Sequence, residues 1–78
     1  MKKKFVLIST ESGKEVEVLK QLKTISQVKE AELVYGDVDI IVKIEAEATE
    51  KQLEAILLEI RRIEGVAKTT TYKVRKIA

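Results

Sequence analysis

Four apolar residues in succession, Phe5 to Ile8 within "KFVLIST", constrain the fold more than any other feature of this chain. A β-strand that is apolar on both sides is one buried on both faces, or placed centrally in a sheet. A second segment, "VDIIVKIEAE" (Val38–Glu47), comes close to the same composition. Val38, Ile40, Val42 and Ile44 fall on one of its faces; Asp39, Ile41, Lys43 and Glu45 fall on the other. Two such strands require partners on either side and a covering layer, and the rest of the chain has the patterns to supply both.

After the first strand comes "SGKE", in which Ser12 precedes Glu15 by three residues, the spacing of a capping box that opens a helix. Val16, Leu19 and Leu22 are expected to form its apolar stripe, ending near Ile25–Ser26. "VKEAELVY" (Val28–Tyr35) alternates, with Ala31, Leu33 and Tyr35 on one side and Glu30 and Glu32 on the other, as in a half-exposed edge strand. Gly36–Asp37 marks a tight turn into the strand that starts at Val38. A second capping box, Thr49 to Gln52, opens a longer helix with Leu53, Ile56, Leu57, Ile60 and Ile63 as its stripe and Gly65 as its C-terminal cap. The last segment, "VAKTTTYKVRKI", is rich in β-formers.

The order is β-α-β-β-α-β, so the predicted class is α+β: a ferredoxin-like split βαβ with a four-stranded antiparallel sheet. Right-handed crossovers put both helices on one face, with the first and third strands central. The other face is then bare. It is expected to present Asp39, Ile41, Lys43 and Glu45, two residues of the first strand, and Thr69, Thr71 and Lys73 of the fourth. An apolar centre with a polar rim suits packing on a second subunit. At 78 residues the chain is one small domain, residues 1–78. A core of that size is marginal alone, and with no cysteine there is no disulfide to supplement it. A homo-oligomer is therefore expected.

Composition also bounds the chemistry. There is no histidine and no cysteine, which removes the commonest general base, the thiolate nucleophile and the soft-metal sites. Ser9, Thr10, Ser12 and Thr69–Thr71 offer hydroxyls with nothing to activate them, so an enzyme is not expected, nor is a cofactor or metal. "DVD" (Asp37–Asp39) lacks the later ligands of a calcium loop. An RNA-recognition sheet needs aromatic residues on its central strands, and the third strand has none. The net charge is only +2 with both signs interspersed. The exceptions are "MKKK" (Met1–Lys4) and "YKVRK" (Tyr72–Lys76), which read as solvating charges flanking edge strands. No apolar run approaches a membrane span and no signal-peptide pattern follows Met1, so a cytoplasmic protein is expected. Lys and Glu dominate the charges while Asn, Pro and Trp are absent, the bias that thermophile proteins tend to show.

Two aspartates at the start of a strand are the anomaly, because a short carboxylate competes for the backbone and is depleted there. Turn chemistry alone is one account of Asp37 and Asp39. The other is a zwitterion site: backbone N–H groups freed by a glycine turn take a carboxylate, and an aspartate takes the ammonium. Thr69 and Thr71 are the hydroxyls expected to complete such an amino-acid site.

"VYGDVDIIVKI" (Val34–Ile44) resembles the V-T-G-D-Y-D-x-x-x-K hairpin of the effector domain in the Lrp/AsnC regulators. "IRRIEGVAKTTTY" (Ile60–Tyr72) resembles that domain's closing I-x-x-[IL]-x-G-V-x-x-[ST]-x-T, and "FVLISTESGKEVEVLKQL" looks like the start of its stand-alone versions. The resemblance spans nearly the whole chain. It implies dimers through the open sheet face, further assembly of those dimers, and an amino-acid effector at the contact between them. By position it implies Gly36, Asp37, Asp39, Thr69 and Thr71 as binding residues. Tyr35 replaces a small hydroxyl residue and Val38 a frequent aromatic. Full-length members also carry a helix-turn-helix, for which this chain has no room, so no direct DNA contact is expected. The roles left are a free-standing amino-acid sensor, a modulator co-assembling with full-length regulators, or a structural oligomer. The alternative is an ACT-like regulatory domain attached to a metabolic enzyme, with its site at Ser9–Gly13. A small enzyme of the dimeric α+β-barrel type lacks its histidine.

Overall fold

The computed structural model describes residues 2–75. Six elements follow in the expected order: β1 (Lys2–Thr10), α1 (Glu15–Leu22), β2 (Val28–Leu33), β3 (Ile40–Ala46), α2 (Glu50–Arg61) and β4 (Val66–Lys73). The sheet is antiparallel throughout, in the order β2-β3-β1-β4, so the two strands richest in apolar residues are the central ones. Lys76 and Ile77, in the expected last strand, lie outside the described residues, as does Met1.

The core lies between the sheet and the two helices. Val6 and Ile8 of β1 and Ile40, Val42 and Ile44 of β3 are fully buried on the helix side. From the helices, Val18 and Leu22 of α1 and Leu53 and Ile60 of α2 meet them with no exposed surface. The second stripe is as expected, with Ile63 packed on the core just beyond the helix. The first stripe is rotated. Val16 is 53% exposed, and Val18, Leu22 and Ile25 do the burying. Steps of three residues precess around a helix of 3.6 per turn, so Val16, Leu19, Leu22 and Ile25 cannot share one face; an i, i+4, i+7 set can.

Only one of the two expected capping boxes forms. At α2, the Thr49 hydroxyl accepts from the Gln52 N–H at 3.1 Å and the Gln52 side chain accepts from the Thr49 N–H at 2.8 Å. At α1 the N-cap is Lys14, with no side-chain cap bond. Ser12 and Gly13 are instead the central residues of a turn closed by the Lys14 N–H to the Glu11 carbonyl, 3.0 Å, with Gly13 at φ +82°. A glycine with positive φ in that position is the type II signature, and it uses up the residues that the box needed.

The register of β4 corrects the expectation for the bare face. Thr71 pairs with Val6 and Thr69 with Ile8. Directly opposed residues of an antiparallel pair project to the same side. Thr69, Thr71 and Lys73 therefore share the helix-side face, and it is Thr70 and Tyr72 that share the open one. There Phe5 and Leu7 of β1 and Ile41 of β3 join Tyr72 in an apolar centre, with Phe5 36%, Ile41 37% and Tyr72 54% exposed. Lys3, Lys43, Glu45 and Glu30 surround it, tied by the pairs Lys3–Glu45, Lys43–Glu45 and Lys43–Glu30. Lys43 holds the Glu30 carboxyl below the ordinary carboxylate range, first through the direct hydrogen bond and then through its charge. Glu30 in turn raises Lys43.

Candidate functional site

The segment that raised the question of the aspartates is not a tight turn. β2 ends at Leu33 and β3 begins at Ile40, so residues 34–39 form a six-residue loop. Its ends are joined by the Val34 N–H to the Asp39 carbonyl, 2.9 Å. Gly36 sits at φ +148°, a backbone region that side-chain-bearing residues rarely adopt, with nothing within 4 Å of where a Cβ would stand. Asp37 is exposed. Tyr35 projects wholly into solvent from the tip.

Asp39 is a junction. Its N–H donates to the Ile8 carbonyl at 2.9 Å, and its own carbonyl accepts from Val34. Its carboxylate oxygen Oδ2 accepts from the Thr10 N–H at 2.8 Å and from the Thr10 hydroxyl at 3.2 Å. The next residue, Glu11, donates its N–H to the Gly65 carbonyl at 2.8 Å. One end of the sheet therefore gathers three connections, β1–α1, β2–β3 and α2–β4, with Asp39 and Gly65 as the links. Gly65 has φ +99°, and a Cβ there would lie 2.9 Å from the Lys14 Cβ and 3.0 Å from Val18 Cγ2. The helix cap expected of Gly65 is Arg62 instead; Gly65 is the third residue of a turn closed by the Val66 N–H to the Ile63 carbonyl, 3.1 Å, and that turn with the close approach accounts for glycine at this position.

Of the five expected binding residues, the loop brings Gly36, Asp37 and Asp39 together. Thr69 and Thr71 are not beside them within one protomer: β1 lies between β4 and β3, and the two threonines face the helix side. Sequence reasoning did not pair Asp39 with Thr10, because the two are 29 positions apart and no spacing rule connects them. The bond also means that the hairpin loop and the Ser9–Gly13 loop, two separate candidates in the sequence, adjoin each other. Chemically the arrangement offers a partly buried carboxylate fixed through one oxygen, beside open backbone at a glycine. That suits holding a small cationic head group. Among the described residues no group of three or more acidic, His or Cys side chains is placed to hold a metal ion. No described helix is long and apolar enough to cross a membrane.

The sequence model of the Lrp/AsnC ligand binding domain matches residues 3–77. The chain belongs to that family. FFRP-DM1, known from a crystal structure, is 36% identical over 96% of this chain and 100% of its own, with a TM-score of 0.86. The hypothetical protein PHS023 from Pyrococcus horikoshii is 35% identical over 99% of this chain and 93% of its own, with a TM-score of 0.84. The transcriptional regulator NMB0573 from Neisseria meningitidis, crystallised as its L-Met complex, shares the fold at 14% identity and a TM-score of 0.77; this domain corresponds to 50% of that chain. No curated protein matches the sequence. As an Lrp/AsnC ligand-binding domain, the chain has the βαββαβ architecture of a regulatory family.

Proposed function

We propose that this domain is a stand-alone, amino-acid-sensing module that self-associates through its open sheet face and modulates Lrp/AsnC-type regulators by co-assembling with them. The observation that carries the reading is the 34–39 loop, which presents a positioned Asp39 carboxylate next to the open backbone of Gly36 in a chain of the Lrp/AsnC ligand-binding family. Asp39 takes the ammonium of the effector, the backbone around Gly36 and Asp37 takes its carboxylate, and Thr69 and Thr71 contribute from a neighbouring copy. The L-Met complex of NMB0573 supports an amino acid as the ligand class.

The open face supports self-association. Phe5, Ile41 and Tyr72 lie exposed at its centre with Leu7 partly covered between them, and Lys3, Lys43, Glu30 and Glu45 beside them pair with one another. Covering the face thus buries apolar area while those four charges keep their partners.

The test is denaturant unfolding of the purified protein against a panel of common amino acids. A ligand held only by the folded state raises stability by about 2.7 kcal/mol at a hundredfold excess over its dissociation constant. Asp39→Asn is the informative variant, because the amide oxygen still accepts from Thr10 while the negative charge is gone. A selective shift in the wild type that disappears in Asp39→Asn is the expected result. A shift that Asp39→Asn leaves intact would move the site to Ser9–Gly13, the ACT-like arrangement. No shift with any amino acid would refute the sensing role.

A further inference from the structure

The two basic segments at the ends of the sequence become one surface. β1 and β4 are antiparallel neighbours with Lys4 opposite Lys73, which brings Lys2, Lys3 and Lys4 beside Lys73 at one end of the sheet, and Arg75 follows Lys73 by two residues. A groove of about 660 Å³ runs there, lined by Lys2, Lys3, Lys4, Lys73, Glu45 and Glu50 with Val74. The reading of these lysines as guards of a sheet edge fails for the first cluster. β1 is a central strand, paired to β3 from Lys2 onward and to β4 from Lys4 onward, and has no free edge to protect.

The two carboxylates organise this end without neutralising it. Glu50 holds Lys4, 3.2 Å away and almost wholly buried, and Lys2 at 3.6 Å; Glu45 holds Lys3 at 3.9 Å. Lys73 and Arg75 have no ion-pair partner among the described residues. The four cations that line the groove against its two carboxylates leave an excess of two, with Arg75 next to it in the chain. Val74 is the only apolar residue in the groove. The site thus lacks the buried aromatic or aliphatic anchor on which protein interfaces depend. Excess cations, most of them exposed, without an apolar anchor match the phosphate backbone of a nucleic acid.

We infer that the end of the sheet formed by Lys2–Lys4, Lys73 and Arg75 is a sequence-independent docking surface for the phosphate backbone of double-stranded DNA. Reading an operator needs an element in the groove, and the expectation of no DNA contact rested on the lack of one. Backbone contact needs only positioned cations. The inference stands apart from the amino-acid site, which lies at the opposite end of β1.

Fluorescence anisotropy with a labelled duplex of mixed sequence, about twenty base pairs long, tests it. Binding should weaken with salt at a log–log slope of roughly −3, a loss of several hundredfold for a tenfold rise in salt. Two double variants, each replacing two cations with two anions, separate local from overall charge. Lys73→Glu with Arg75→Glu should abolish binding. Lys68→Glu with Arg62→Glu, at the other end of the molecule, should leave affinity within about threefold of wild type at low salt. Circular dichroism of both variants establishes that each is folded. Lack of duplex binding by the wild type at low salt would overturn the inference, as would equal losses in the two variants. Binding of poly-glutamate in place of the duplex would also overturn it, and would make this end a dock for acidic protein segments.

Discussion

Gly65 and Gly13 both adopt positive φ, yet only one of them is also crowded. A Cβ at Gly65 would press on Lys14 and Val18, whereas a Cβ at Gly13 meets nothing within 4 Å. Gly13→Ala should therefore cost only the backbone term of about 1 kcal/mol, and Gly65→Ala about 2–4 kcal/mol, read from urea midpoints. Asp39 offers a second test at this scale. Asp39→Ala leaves the Thr10 N–H without its acceptor and should cost about 1–3 kcal/mol, while Asp39→Asn, which keeps an acceptor, should cost less than half as much. If the two variants were equally stable, the Thr10 bond would have no part in holding the loop. Asp37 and Asp39 were conspicuous in the sequence because aspartate is out of place in a strand. What Asp39 grips was hidden, since hydrogen bonds between distant residues leave no local pattern.

The elements were legible wherever a local rule had no competitor. Thr49 and Gln52 formed their box because nothing else claimed those residues. Ser12 had the same spacing to Glu15 but lies in a turn dictated by Gly13. Thr49→Ala should accordingly lower stability by about 1 kcal/mol and Ser12→Ala by less than about 0.5 kcal/mol in the same denaturation assay. Two ion pairs join elements and give the fold an acid limb. Glu50 links α2 to β1 through Lys4, and Glu30 links β2 to β3 through Lys43. Both carboxyls are held below their ordinary value of 4.5, chiefly by the hydrogen bond to the lysine. A carboxyl depressed in the folded state stabilises it above that ordinary value, and the contribution is lost as pH falls through the lowered one. Thermal stability should thus decline below about pH 4.5, and a Glu30→Gln, Glu50→Gln double variant should show a shallower decline. Lys43, raised above 10.5, keeps its contribution until strongly alkaline pH.

At the scale of the whole molecule, the topology was readable because the two strands with apolar residues on both faces had to be central, and right-handed crossovers then fixed the helices to one side. The faces of β4 were not. Its run "AKTTTYK" has hydroxyls at three consecutive positions, so alternation gives no phase, and only pairing with Val6 and Ile8 decides which threonines point where. The expected site inherited that ambiguity: its hairpin half is assembled in one protomer and its Thr69–Thr71 half is not. The proposal therefore depends on more than one copy being present. Replacing Phe5 with Asp at the centre of the open face should abolish self-association while the chain stays folded, since Phe5 lies outside the buried core. The most direct measurement is sedimentation velocity of the wild type at tens of micromolar, with and without the amino acid that stabilises it, a range in which a specific interface of standard size is populated. The account predicts a dimer or larger species whose distribution shifts when the amino acid is added. A monomer at every concentration, unchanged by any amino acid, would contradict it.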